Sequence, residues 1–551
     1  MKKKIGIVLL VAIASLLILG FTKDYYFKIN KSFDVFGAVF REVTTNYVLE
    51  IDPEILIKGA IQGMLSTLDP YTEFYDIQDR EDFDILTSGT YTGFGISISN
   101  IDSMLTVTQV RDGYSAFDEG IRIGDRICYV DDEYVLYKDY QDIRDFLKGD
   151  AGSKSNLRII RDGNPDTLDF SLVRKSISLD NIGYYEILDD NTGYVKLERF
   201  NKTAAQDFRY ALNELKRRGK LNSLIIDLRD NPGGLLEPAV QICDMFLPNG
   251  SLIVSTRGRD DEELYTYKST SNPVEPDLPL VLLINENSAS ASEIIAGTLQ
   301  DYDRAVIVGK RSYGKGLVQS ILPMPYNGNL KITTAKYYIP SGRCIQRIKF
   351  AEKYIGNEKS GVSDSPDSTV FYTANGRKVF ESTGINPDTT GERQVYAEVI
   401  ADLYGNFHFF KFSNLYSSKL SKLPENFSAD DKLFKQFIDY LNKQDYSFKS
   451  ESDLIIDRIS DLAKESGFSA NFDKSLNSLR KSLAKEEEGI LEKSKVDILM
   501  YLDYEIKSRF NSERDMFAAF MNIDNDLILA RKILKSDSYS KILMTVKSKD
   551  F

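Results

Sequence analysis

The sequence predicts a multidomain α+β chain: an α/β core, a small β-rich module ahead of it, and helical regions at both ends. Three observations predict this. Short, fully apolar runs alternate with helical patterns over residues 176–390. Brief alternating segments set off by Gly-Asp and Asp-Gly turns fill 86–175. Regions 23–85 and 391–551 carry apolar residues at three- and four-residue spacing. At roughly 100–200 residues per domain, 551 residues allow three or more.

Taken in order, residues 1–22 read as a leader. Lys2, Lys3 and Lys4 precede an uncharged apolar run from Ile5 to Phe21, the pattern of a secretory signal or signal-anchor. No small-x-small cleavage site follows, which favours an uncleaved anchor with its lysines in the cytoplasm. In 23–85, Phe36, Val39, Phe40, Val43 and Tyr47 follow a helical spacing, and Leu68-Asp69-Pro70-Tyr71-Thr72 supplies a turn. In 86–175, Gly95–Ser99 and Met104–Thr108 read as strands divided by turns at Gly124-Asp125 and Asp162-Gly163. In 176–390, Leu224–Leu228, Leu280–Ile284 and Ala305–Val308 suit buried strands, with helices expected over Thr203–Arg218 and Ser292–Gln300. Residues 391–551 are rich in Lys, Glu and Ser, with Leu479, Leu483 and Leu491 at helical spacing, and read as a helical extension.

Composition excludes several chemistries. The net charge of −12 argues against a nucleic-acid partner, since phosphate binding rests on clustered Lys and Arg. Cys128, Cys243 and Cys344 lie far apart without CxxC spacing, which argues against a thiolate metal site, and their odd number argues against a disulfide framework while leaving room for one pair in an oxidising compartment. His408 is the sole histidine and sits in an aromatic stretch, Gly405–Phe410, that reads as packing. A histidine-based hydrolase or a His-based zinc site is therefore disfavoured.

Three segments of the α/β region carry chemistry. Asp227-Leu228-Arg229-Asp230-Asn231-Pro232-Gly233-Gly234 ends a strand in a turn whose backbone N–H groups could face a ligand; an ordinary tight turn is the plain alternative. Asn287–Glu293 places Ser290 between a strand and a helix, with its hydroxyl at the positive helix end. Ser290-x-x-Glu293 is equally a capping-box pattern. In Gly309–Gln319, Gly314-Lys315-Gly316 follows a strand, but the order of residues does not fit a phosphate loop.

Together Asn231-Pro232-Gly233-Gly234, Ser288–Ile294 and Gly314-Lys315-Gly316-Leu317-Val318-Gln319 resemble the carboxyl-terminal processing peptidases, or tail-specific proteases of peptidase family S41. Lys315 lies 25 residues after Ser290, the family's spacing, and Leu68–Thr72 and Gly384-Ile385-Asn386-Pro387-Asp388 look like further landmarks. The resemblance spans roughly 34–390. It implies a PDZ module inserted before a crotonase-like α/β serine-protease core at 176–390, with 391–551 a lineage-specific helical extension. It also implies Ser290 as nucleophile, Lys315 as general base, Gln319 as the residue orienting the lysine, and the N–H groups of Gly233 and Ala291 as oxyanion hole. Asp301 matches an acidic position implicated in some members.

The chemistry is coherent on its own terms. A serine hydroxyl needs an adjacent base, and with one histidine available a lysine is the natural substitute. A lysine amine titrates near ~10.4 in water, so a lysine serving as base must be held neutral, which apolar burial favours. Gln319, a neutral hydrogen-bonding group two strand steps along, suits that role.

The same resemblance makes Tyr91–Ile96 a carboxylate-binding loop, with the N–H groups of Phe94, Gly95 and Ile96 as donors to a substrate's C-terminus and the peptide adding a strand. Gly120–Ile127 strengthens it, although Gly120-Ile121-Arg122 stands where Ala-Gly-Leu is common. The expectation is an endopeptidase cleaving envelope proteins captured by their C-terminal tails. It needs no metal or other cofactor. It would be anchored in the inner membrane and face the periplasm, or be secreted there if the leader is cleaved, with an adaptor protein or a second copy as further partners. A catalytically weak PDZ scaffold and a signal-peptidase-like enzyme are the competing readings; the intact Ser290 and Lys315 disfavour the first and the PDZ signature the second.

Overall fold

Five short segments form the central sheet, in the order Ile182–Ile187, Thr192–Leu197, Ser223–Asp227, Leu280–Ile284, Ala305–Gly309. The last three are buried at every position in this computed structural model, as their apolar runs require, with Ser223 and Asp227 the polar ends of the first of them. The last four strands run parallel, with Leu224 opposite Leu280 and Leu280 opposite Ala305; Ile182–Ile187 is an antiparallel edge. The structure describes residues 25–544 apart from 77–84, 86, 139–142, 144, 145, 349, 351–368, 382, 392–396, 522 and 523. The expected leader, 1–22, lies outside the described residues. Among those described, no helix is long and apolar enough to cross a membrane.

Side-chain alternation divides the sheet between two cores. Leu224, Ile226, Leu280, Leu282 and Ile307 pack under helices Ala204–Arg218, Leu236–Asp244 and Ala291–Asp301. Ile225, Val281, Leu283, Val306 and Val308 face the other way, onto Leu527, Ala530 and Ile533 of the helix Asn525–Leu534. Fully burying such a side chain is worth about 1.5–3 kcal/mol, so the chain's far end completes the core.

The chain divides into two compact units. The larger holds the core, the β-rich module and the helical extension. In the module, strands Ile96–Ile101, Met104–Val110, Arg126–Val130, Lys154–Ile160 and Leu168–Val173 form a sheet in that order, closed over Leu105, Val107, Ile127, Ile143, Leu157 and Leu172. The alternation predicted there is visible in Lys154–Ile160, where every second residue is buried. A separate ladder pairs Leu252–Arg257 with Glu263–Lys268 and with residues 336–338. The extension is helical, but its core is aromatic: Phe409, Phe412, Phe434 and Phe437 pack with Ile498, Leu502 and Ile506, while Leu479 points to solvent.

Of the described residues, the smaller unit comprises 25–76, 319–333 and 350. Residues 25–46 and Pro53–Leu65 are helical, as the spacing predicts, with Asp52 capping the second helix through Glu54 N–H. The region is not helical throughout: Glu73–Tyr75 is a strand, antiparallel to residues 329–331.

Candidate active site

Two loops at the ends of the central strands are sewn together. Asp230, held at φ 61°, accepts at Oδ1 from the amides of Asn285 and Asn287, both at 2.8 Å. Ser288 Oγ donates to Leu228 O at 2.8 Å, and Ala289 N–H and Ser292 Oγ donate to Asn231 O at 3.1 and 3.0 Å. The wholly buried Asn231 donates to Leu197 O and accepts from Gly233 N–H at 2.9 Å. The turn that the sequence marked is therefore bound to the loop that carries Ser290.

Ser290 opens the helix Ala291–Asp301 with φ 53° and ψ −113°, a conformation an L-residue adopts at a cost of about 1–3 kcal/mol and keeps only where its surroundings enforce it. Gly233, at φ 93°, lies directly against it. A Cβ there would fall 2.7 Å from Ala289 O, 2.8 Å from Ser290 Cβ and 2.9 Å from Ala291 N, so only glycine fits. Ala291 is the first helical residue, whose N–H has no intrahelical acceptor. Gly233 N–H donates to the side-chain oxygen Oδ1 of Asn231.

Glu293 joins Ser290 to Lys315. Its Oε2 accepts from Ser290 N–H at 2.9 Å, which is half of the capping box the sequence offered. The same oxygen accepts from Lys315 N–H at 2.8 Å, and Oε1 accepts from Gly314 N–H at 2.7 Å and from Ser312 Oγ. Ser312 Oγ in turn accepts from Ile385 N–H at 2.6 Å, which gives the Gly384–Asp388 landmark its work. Burial pushes the Glu293 carboxyl up to about 7, against the pull of these four donors. Behind them the Tyr337 hydroxyl donates to Lys315 O at 2.6 Å, with Ser290 O 3.2 Å away. Ser290 and Lys315 are thus brought to one place by a carboxylate on one side and a phenol on the other. Both are half-buried.

The sequence pointed to Glu293 only as a cap, and gave no sign of Ser312 or Tyr337. Gln319 belongs to the smaller unit, where its amide donates to Thr333 Oγ1 at 3.1 Å. Thr333 N–H donates to Thr72 Oγ1, whose own hydroxyl donates to Asp69 Oδ2, so the Leu68–Thr72 landmark supports that strand. Asp301 stands at the far end of its helix, roughly 16 Å along the axis from Ser290 at 1.5 Å per residue. There it pairs with the buried Arg343 at 2.9 Å and accepts from Ser341 N–H, a structural role. His408 packs edge-on against Tyr446 at 4.9 Å in the helical extension, and burial lowers its pKa. All three cysteines are buried thiols. Among the described residues no group of His, Cys, Asp and Glu has the make-up of a metal site.

In the β-rich module, Phe94, Gly95 and Ile96 form the link from Thr90–Gly93 into Ile96–Ile101, an edge strand of its sheet. The Phe94 ring is buried beneath the Arg174 guanidinium, 4.9 Å from its centroid. Gly95 takes φ 84°, and a Cβ there would meet Tyr114 Cβ at 2.3 Å.

Residues 191–354 match the profile of peptidase family S41, and 92–172 that of the PDZ domain. The chain is 37% identical over 316 residues to the carboxy-terminal-processing protease of Bartonella bacilliformis, covering 57% of this chain and 72% of that one. The chain belongs to peptidase family S41, the carboxy-terminal processing proteases. This S41 peptidase is also 30% identical over 321 residues to the carboxy-terminal processing protease CtpB of Bacillus subtilis, 58% of this chain and 66% of that protein. Among solved structures it is similar to a photosystem II D1 C-terminal processing protease, at 25% identity and a TM-score of 0.37, over 64% of this chain and 85% of that one. Two further profiles cover the ends: residues 22–79 match the activating protease CtpB N-terminal domain, and 399–534 match a probable PDZ-protease C-terminal helical domain. The S41 peptidase is therefore a serine-type hydrolase with a PDZ domain and a helical C-terminal region.

Proposed function

We propose that this S41 peptidase cleaves proteins held by their C-terminal tails, using Ser290 as nucleophile and Lys315 as general base on a crotonase-like core. The observation that carries the reading is the double tie between the two residues, through Glu293 and Tyr337. The neutral Lys315 amine takes the Ser290 proton as the hydroxyl attacks the scissile carbonyl. The oxyanion that develops is met by Ala291 N–H at the positive helix end. Gly233 N–H joins it by sharing or releasing Asn231 Oδ1. The lysine then protonates the leaving amine, and water resolves the acyl-enzyme by the same route. Gln319 orienting the lysine rests on its place in the sequence, four residues beyond Lys315.

In the PDZ domain the amides of Phe94, Gly95 and Ile96 receive the substrate's carboxylate, and the peptide pairs along the edge strand. The Lys2–Lys4 flank and the apolar run after it support work in the cell envelope, at the inner membrane or released from it. The test is direct. Ser290→Ala and Lys315→Ala should each abolish cleavage of a tailed substrate while circular dichroism stays that of the parent. Turnover at the parent rate by either variant would refute the pair.

A further inference from the structure

The turn that carries Gly233, one of the two N–H groups assigned above to the oxyanion, has a tether from 295 residues further along the chain. Arg229 stands one residue before Asp230 and four before Gly233. Its guanidinium lies between two carboxylates. On one side it donates to Asp227 through Nε and one terminal nitrogen, at 3.0 and 2.6 Å. On the other it donates to both oxygens of Asp524, at 3.0 and 2.5 Å, with Asp526 at 3.5 Å. Asp524 is buried and is the N-cap of the Asn525–Leu534 helix, accepting also from Leu527 N–H at 3.1 Å. Asp227 is 1% exposed and is further bound by the Tyr194 hydroxyl and Lys196. Two-point pairing of a planar guanidinium fixes orientation as well as distance. From Arg229 the fixed geometry passes along the backbone to Asp230, which holds Asn285 and Asn287, and to Asn231, which holds Ala289 and Gly233.

We propose that Asp524 is a positioning residue for catalysis: by clamping Arg229 it sets the Asp230–Gly234 turn against Ser290, so the helical extension is a working part of the active site. This rests on the Ser290–Lys315 reading above. The same helix is also docked by Arg531 and Lys535 onto Asp190, at the other end of the sheet strands, with no contact to the turn. That pairing separates docking from positioning.

The full-length enzyme therefore decides the matter with Asp524→Asn, which keeps a good cap residue and loses the charge, and Arg531→Gln, which loosens docking alone. Expected for Asp524→Asn is a kcat lower by at least about tenfold with KM for a tailed peptide unchanged, measured well below its melting temperature. Hydrogen exchange should quicken at amides 228–234 and 285–292. Arg531→Gln should leave kcat and those amides as in the parent. Asp524→Glu, which restores the charge, should recover part of the loss. The idea is overturned if Asp524→Asn keeps parental kcat and exchange, or if Arg531→Gln produces the same loss. Should Ser290→Ala retain full activity, the dyad reading fails; hydrogen exchange still reports, independently, whether Asp524 holds the turn.

Discussion

Glu293 bears an unusual load for one side chain. It is wholly buried, it receives four donors, and its carboxyl titrates near 7 because burial outweighs them. An acid whose folded value lies above its ordinary one stabilises the fold in full below about 4.5 and loses that contribution as pH rises through 7. The melting temperature should accordingly decline between pH 4.5 and 7.5, with a span on the order of 3 kcal/mol assignable to this group. Glu293→Gln should flatten that decline. It should also lower turnover, because the NH₂ replaces one carboxylate oxygen and would face either the N–H donors of Ser290 and Lys315 or that of Gly314. Calorimetry across this range checks the first point and peptide hydrolysis the second. The residue was half legible: Ser290-x-x-Glu293 shows the cap, but the partners at 312, 314 and 315 reach it only through the fold, and no local spacing announces them.

Elements were legible in proportion to how uniformly they are buried. Leu280–Ile284 and Ala305–Gly309 are apolar throughout and stand out at once. Ile182–Ile187 and Thr192–Leu197 belong to the same sheet, yet Gly, Tyr, Glu and Lys within them break both the continuous and the alternating pattern, and the sequence did not reveal them. Glu73–Tyr75, three residues long, is a strand only because residues 329–331 pair with it. In the PDZ domain, Ile96–Ile101 ends its sheet with one edge unpaired in the strand order, directly after the Phe94–Ile96 link. If that link binds a carboxylate, amidating a substrate's C-terminus removes a charge-assisted hydrogen bond and should weaken capture by about tenfold. Calorimetric titration with paired acid and amide peptides measures it, and equal affinities would remove the role.

At the scale of the whole molecule, the helical extension was legible as helices but not as a lid on the core. Nothing in Asn525–Leu534 states that Leu527, Ala530 and Ile533 meet Ile225, Val281 and Leu283 some 240 to 300 residues earlier. A chain ending at residue 510 would expose those strand residues together with Val306 and Val308. At about 1.5–3 kcal/mol each, that loss rivals the ~5–15 kcal/mol that holds a domain folded. Such a chain should aggregate on gel filtration, whereas one lacking residues 1–24 should elute as a folded species. The covering helix also sets a timetable. Residues 525–543 leave the ribosome after every strand they cover, so a nascent chain carries Ser290 and Lys315 long before its sheet is roofed. In a chain made in this order one face of the sheet stays open until those residues are out, so the core can be closed only after every strand in it has been made.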